Sequence, residues 1–174
     1  MKKLLLLLSL TAVTLFAEVS MDKPLPSLTL EGDNGGHYAG EAWHSSMLKG
    51  KTTMLMYVDP DERSKGEVFK STIAGFEKDL DFSKFQIVVV INLNATWKPN
   101  AVIRKMMKSK VDEHPKRIYV LDVNSAFVKN WGLTDDEYNT IVINDNGQVI
   151  YNHSGEWKGD EMDKINTLVR STVK

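Results

Sequence analysis

The stretch FQIVVVINL, residues 85–93, is the feature that most restricts the fold of this chain. It is rich in β-branched residues and apolar on both faces, which is typical of a strand that is buried on both sides. Such a strand lies inside a sheet that carries a layer of structure on each side. Two further apolar runs, TTMLMYV at 52–58 and RIYVLDV at 117–123, are predicted to be strands of the same sheet.

Segments with apolar residues at helical spacing separate these strands, and a hairpin follows them. Asp145-Asn146-Gly147 is a strong hairpin signal between strands predicted at 140–144 and 148–153. A short strand is predicted within residues 25–32. Strands that alternate with helices indicate an α/β fold with a central mixed sheet flanked by helices, a three-layer α/β/α sandwich. The predicted helices cover residues 64–79, 100–108, 126–131 and 160–173.

The first 17 residues, MKKLLLLLSLTAVTLFA, have the pattern of a secretory signal peptide. Lys2 and Lys3 precede an apolar run, and Ala17 is the natural cleavage point. A retained membrane anchor is the alternative, but the run is shorter than the ~20 residues that span a bilayer. We therefore predict an exported chain of residues 18–174, located in the periplasm of a Gram-negative bacterium and not bound to the membrane after cleavage.

Charge and cysteine content exclude several classes of function. Removal of Lys2 and Lys3 from the 22 Lys and Arg leaves 20, against 23 Asp and Glu, so the mature chain is slightly acidic. This balance gives no electrostatic basis for binding nucleic acid, and together with the export signal it argues against a transcription regulator. The chain contains no cysteine, which excludes disulfides, thiol chemistry and thiolate metal sites.

The order of the predicted elements, with GKTTMLMYV leading into the first buried strand, resembles the thioredoxin-like fold. A set of short segments in a fixed order makes nearly the whole mature chain similar to the YtfJ family of small periplasmic bacterial proteins. The resemblance implies one thioredoxin-like domain over residues 18–174 and no assigned biochemical activity. The segments are Arg63-Ser64, Val90-Ile91-Asn92, Val102-Ile103-Arg104, Trp131-Gly132-Leu133, Asp135-Asp136-Glu137, Ile141-Val142-Ile143 and Asp145-Asn146-Gly147.

Resemblance to redox-active thioredoxins implies that Asp61 and Ser64 stand where their two cysteines would be. A carboxylate and a hydroxyl cannot exchange disulfides, and the loop before the hairpin has no proline where such enzymes carry one. The chain is therefore predicted not to be a thiol–disulfide oxidoreductase. A purely structural interpretation of this turn is available, because Pro60 favours a turn and Ser64 with Glu67 forms a capping-box pattern at the helix start.

The thioredoxin-like fold also implies that the turn after the first buried strand faces the loop before the hairpin. Six carboxylates would then converge at what we call the acidic corner, residues 59–62 and 135–137. Arg63 is expected to pair with Asp59 or Asp61. The candidate binding residues are Asp59, Asp61, Glu62, Arg63, Ser64, Asp135, Asp136 and Glu137.

We predict a non-redox binding domain for a periplasmic protein or a small ligand, with no catalytic residue and no cofactor. The alternative is a Ca²⁺ or Mg²⁺ site, or a metal-assisted enzyme, with Asp61, Glu62 and Asp136 as ligands, because clustered carboxylates suit hard cations. A basic segment of a partner protein would satisfy the same charges. Trp97 is predicted to be an exposed contact residue, and His153 with Glu156 is a weaker candidate for a proton-transfer pair.

Overall fold

The computed structural model describes residues 18–62 and 69–173. The predicted signal peptide at 1–17 lies outside this part of the chain, and so do the predicted site residues Arg63 and Ser64 and the capping partner Glu67. Within the described residues no helix is both long enough and apolar enough to span a lipid bilayer.

Most strands of the described chain belong to one mixed sheet of six strands, and two short strands pair separately. The strands are β1 (Thr29–Leu30), β2 (Gly35–His37), β3 (Trp43–His44), β4 (Thr52–Val58), β5 (Phe85–Asn92), β6 (Arg117–Asp122), β7 (Asn139–Ile143) and β8 (Val149–Ser154). The sheet order is β2-β6-β5-β4-β7-β8. β5 runs parallel to β4 and β6, whereas β2, β7 and β8 are antiparallel to their neighbours.

The helices lie on both sides of this sheet. α1 and α2 connect the parallel strands β4, β5 and β6, which follow one another in one direction across the sheet, so crossovers of the same hand place both helices on one face. The α-helices are α1 (Lys70–Asp79), α2 (Asn100–Glu113), α3 (Ala126–Trp131) and α4 (Asp160–Thr172).

Alternate residues of the central strands fill two separate cores. Met56 and Ile91 point to the face covered by α1, α2 and α4, whereas Leu55 and Val90 point to the face covered by α3 and the β1–β3 pair. Every residue of β4 and β5 is buried. This two-sided burial explains why their sequences are largely apolar instead of alternating between apolar and polar residues.

An aromatic cluster anchors the layer formed by α3. Phe127 lies between Trp43 and Trp131, with ring centroids 5.3 and 4.6 Å away. The Trp131 indole Nε1 donates to the carbonyl of Pro26 at 3.1 Å, which fixes the N-terminal segment against the helix. Burial of three large rings provides much of the core on this side.

The predicted α/β/α architecture is confirmed, and most of the predicted strand and helix limits agree with the structure to within one residue. The strands β2 and β3 were not predicted, and two predicted elements differ more in length. The predicted helix at 100–108 continues to Glu113, and the strand predicted within 25–32 is reduced to Thr29–Leu30. Just before β1, the Leu28 amide donates to the Ser45 hydroxyl and not to a neighbouring strand, so the pairing does not extend.

Candidate functional site

The acidic corner lies at the edge of the sheet where β4 and β5 end and the antiparallel β7 begins. Residues 59–62 follow β4 directly, and residues 135–137 form the loop that enters β7. The pairing of Tyr57 with Asn139 across β4 and β7 brings the two segments to the same edge. The described part of the predicted site is therefore assembled by the central strands.

Asp59 is the buried member of the corner, with only 5% of its surface exposed. Its Oδ1 accepts a hydrogen bond of 2.7 Å from the amide of Asp61, which closes the turn. Burial raises the pKa of the Asp59 carboxyl above its usual value, and the negative charges of Asp61, Asp136 and Glu62 raise it further. The two acidic segments thus meet electrostatically at Asp59.

Asp61 faces the loop between β5 and α2. Its carboxylate forms an ion pair with the Lys98 ammonium group, and both side chains are partly exposed. The neighbouring Trp97 is 84% exposed, and the Lys98 Nζ lies 5.2 Å from the centroid of its ring. Trp97 is therefore exposed, as the sequence predicted. Its position beside the acidic turn was not predicted.

Asp135 is directed away from the other carboxylates, toward the end of β5. The Asn92 side-chain amide donates to Asp135 Oδ1 at 3.0 Å. Asn92 Oδ1 in turn accepts from the Ser125 hydroxyl and from the Asn94 amide, each at 3.1 Å. This network fixes the position of the loop that enters β7 relative to β5.

A second buried polar pair lies under the corner. The Tyr57 hydroxyl donates to Asp122 Oδ2 at 3.2 Å, and Asp122 also accepts from the amides of Ala126 and Phe127. Burial and the Asp122 carboxylate raise the pKa of Tyr57, so the phenol remains protonated and acts as a donor. Asp122 is completely buried and holds the start of α3 against the sheet.

Asn139 organises the loop at residues 134–138 from within β7. Its Oδ1 accepts from the Thr134 amide at 3.0 Å and from the Ser154 hydroxyl at 2.7 Å, and its Nδ2 donates to the Thr134 carbonyl at 2.8 Å. Asn139 is fully buried. The side chain therefore replaces backbone contacts that would otherwise close this loop.

The structure brings together some of the predicted site residues and separates others. Asp59, Asp61, Glu62 and Asp136 interact at one place, while Asp135 binds Asn92 and Glu137 is half-buried behind the loop. In residues 18–62 and 69–173 no group of three or more His, Cys, Asp or Glu side chains is arranged to hold a metal ion. Asp61, Glu62 and Asp136 do not form such a group.

His153 has a different partner from the one that the sequence suggested. Its Nε2 lies 3.0 Å from the Glu161 carboxylate on α4, whereas Glu156 approaches the ring only through its backbone carbonyl, at 3.2 Å. The expected pairing with the Glu156 side chain is wrong. α4 packs across the sheet and carries Glu161 to β8, a contact that sequence spacing does not reveal.

The sequence interpretation missed the buried polar residues that hold the corner together. Asn92 and Asp122 are the last residues of two apolar strands, and Asn139 is the first residue of a third. A polar side chain at the end of a fully buried strand needs a hydrogen-bond partner in the interior. A polar residue at the end of an apolar strand was therefore the sequence signal that could have identified these three residues.

Comparison with known proteins places the chain in a family. The model of the YtfJ_HI0045 family, described as a bacterial protein of unknown function, matches residues 26–172. This chain belongs to that family. It is also 19% identical over 138 residues to the uncharacterized protein YtfJ of Escherichia coli strain K12, which covers 79% of this chain and 75% of that protein.

Solved structures share the fold of this YtfJ-family chain. Thiol peroxidase from Chromobacterium violaceum superposes with a TM-score of 0.63 at 13% identity, covering 90% of each chain. The exposed lipoprotein thioredoxin Etrx1 from Streptococcus pneumoniae strain TIGR4 gives 0.62 at 14% identity, over 84% of this chain and 99% of its own. These likenesses establish a thioredoxin-like fold in a chain without cysteine.

Proposed function

We propose that this YtfJ-family chain is an exported, non-redox binding domain that contacts a protein partner through the acidic corner and Trp97. The partner presents a basic segment beside an apolar side chain. The observation that carries the proposal is the position of Trp97, which is 84% exposed next to the Asp61–Lys98 ion pair.

The exposed indole ring of Trp97 is best explained by a role in binding. Large aromatic side chains supply much of the binding energy at protein interfaces, and tryptophan is enriched among the residues whose truncation costs most. The Lys98–Asp61 ion pair holds its loop against the turn after β4. The ion pair thus restrains the loop that carries Trp97, which reduces the conformational entropy lost when a partner binds.

The carboxylates around Asp59 define the charge of the partner. Asp61, Glu62 and Asp136 all raise the pKa of Asp59, and Lys98 forms an ion pair with Asp61. A lysine or arginine of a partner would relieve the repulsion among them. The chain has no cysteine, so disulfide exchange by its own thiols is not part of the proposal.

The test places a photo-crosslinking amino acid at position 97 of the full chain in its native host. Position 164 is the control, because Lys164 is exposed on α4 outside the corner. We expect a discrete crosslinked protein from position 97 and none from position 164. Binding of the purified chain to that crosslinked protein should be lost with Trp97→Ala and retained with Lys164→Ala. Identical products from both positions, or none from position 97, would overturn the proposal.

A further inference from the structure

A pocket lies on the face of the sheet covered by α1 and α2, and Trp97 does not line it. This pocket of about 710 Å³ opens between these two helices, and its floor is formed by β4, β5 and β6. Small-molecule sites are typically about 300–1,000 Å³ in volume. The space is therefore of the size of a ligand site and larger than an ordinary packing defect.

The walls of the pocket are mainly apolar. Ile73 of α1 faces it from one side, and Ile103 and Met107 of α2 face it from the other, above Met56 and Val89 of the sheet. Methionine side chains adapt to ligands of irregular shape because they are flexible and polarizable. This lining suits a hydrocarbon chain better than a polar metabolite.

The two ends of the pocket carry opposite charge. Among the residues that the structure describes, the end near the acidic corner has four carboxylates, of which Asp59 lines the pocket, and two lysines. At the opposite end, three permanent cations stand against two carboxylates. The acidic end has Asp59, Asp61, Glu62 and Asp136 with Lys70 and Lys98, and the basic end has Lys110, Lys116 and Arg117 with Glu77 and Glu113.

The basic end is also accessible to water. The Lys110 side chain is 55% exposed, and His114 beside it is 32% exposed. Arg117 binds Glu77 through Nε at 2.7 Å and Nη2 at 3.0 Å, which fixes the guanidinium at the pocket rim. Burial, and to a smaller extent the charge of Arg117, lower the pKa of His114.

We propose that this pocket binds a free single-chain amphiphile with an anionic head group, of the fatty-acid class, with its hydrocarbon chain between α1 and α2 and its carboxylate at the Lys110–Arg117 end. The acidic end repels the head group, so only one orientation is favourable. Burial of the hydrocarbon chain supplies the affinity, since each methylene removed from water contributes to it. This inference does not depend on the proposed function of the corner.

The test is calorimetric titration of the mature chain with palmitate below its micelle concentration. Cetyltrimethylammonium, which has a similar chain and a cationic head, is the matched ligand. We expect palmitate to bind at least tenfold more tightly, and each shortening by two carbons to weaken binding roughly tenfold. Equal or tighter binding of the cationic amphiphile, or no binding of palmitate, would overturn the proposal.

Two pairs of variants assign binding to this pocket. Ala74→Phe fills it, whereas Ala101→Phe adds the same ring to an exposed alanine of α2 that does not line it. Lys110→Glu reverses a charge at the basic end, whereas Lys108→Glu does so two residues earlier on α2, at an exposed position that does not line the pocket. We expect at least tenfold weaker palmitate binding only for the first member of each pair, and equal effects within pairs would contradict the assignment.

Flotation with vesicles of anionic phospholipid separates a free amphiphile from a membrane surface. We expect the wild-type chain to remain in the protein fraction while binding monomeric palmitate. Binding to vesicles without binding to monomeric palmitate, or binding of an apolar peptide in its place, would refute the fatty-acid class. None of these variants touches Trp97 or the acidic carboxylates, so the result is independent of the crosslinking experiment.

Discussion

The Asn92 side chain donates a hydrogen bond of 3.0 Å to the Asp135 carboxylate, which joins the last residue of β5 to the loop that enters β7. These two segments are 43 residues apart in the sequence. Asn92 also binds Ser125 and Asn94, so one buried amide connects three parts of the chain. The geometry of the acidic corner therefore depends on a residue that carries no charge.

Replacement of Asn92 by alanine is expected to destabilise the protein by about 2–3 kcal/mol. The substitution leaves the buried Ser125 hydroxyl and the partly buried Asn94 amide without their shared acceptor, and a buried group without a partner costs about 1–3 kcal/mol. Urea unfolding measures the change. Asn152→Ala, at an exposed position of β8, is the control and should stay within about 0.5 kcal/mol of wild type.

Replacement of Asp59 by asparagine is expected to stabilise the protein increasingly as the pH rises. Burial and neighbouring carboxylates raise the folded-state pKa of Asp59, so the contribution of this residue to stability is most favourable below the ordinary carboxyl pKa of 3.8 and falls as the pH rises through the folded-state value. The asparagine oxygen retains the bond to the Asp61 amide. Thermal unfolding between pH 3 and pH 7 measures the difference.

Asp81 supplies a control of opposite sign for that experiment. The Ser83 amide, at 2.8 Å, lowers the pKa of Asp81, so its contribution to stability is present above the ordinary pKa and lost in acid. Asp81→Asn should therefore become relatively less stable as the pH rises, whereas Asp59→Asn becomes more stable. Parallel pH profiles for the two variants would show that Asp59 is not held in a repulsive environment.

Replacement of Glu77 by glutamine is expected to cost about 1.5–3 kcal/mol at neutral pH, because it removes charge-assisted bonds to Arg117. Burial alone would raise the pKa of Glu77, but Arg117 outweighs burial and lowers it below the usual 4.5. The stabilisation is thus present above pH 4.5 and lost as the pH falls through the folded-state value.

Urea unfolding of wild type and Glu77→Gln at several pH values tests this expectation. The difference between them should shrink as the solution is acidified below the ordinary glutamate pKa. Glu113→Gln is the control, since that carboxylate pairs with Lys110 on an exposed helix surface. A difference for Glu77→Gln that is independent of pH would show that packing, and not the ion pair, is responsible.

The central strands were predictable from sequence because strands buried on both faces consist mainly of apolar residues. The run at residues 85–93 is apolar at seven of its nine positions and buried along the whole of β5, which is typical of a strand covered on both faces. The end of α2 was not predictable in the same way, because residues 109–113 are mostly polar. Pairs four or three residues apart, Ser109–Glu113 and Lys110–Glu113, stabilise that extension.

The corner was predictable only in part. The fold resemblance indicated that the two acidic segments share one edge of the sheet, and Asp59 and Asp136 do interact. The direction of each side chain was not predictable, because Asp61 is turned by Lys98 and Asp135 by Asn92, both from distant parts of the chain. Local sequence carries no record of such tertiary partners.

Calcium at about 1 mM is expected to leave the unfolding temperature unchanged when ionic strength is matched with KCl. Asp61 is paired with Lys98 and Asp135 with Asn92, so these oxygens are already engaged. A site with a dissociation constant of ~10⁻⁵ M would stabilise the fold by about 2.7 kcal/mol under these conditions, which thermal unfolding detects easily. A calcium-dependent rise that disappears in Asp136→Asn would instead identify the acidic corner as a cation site.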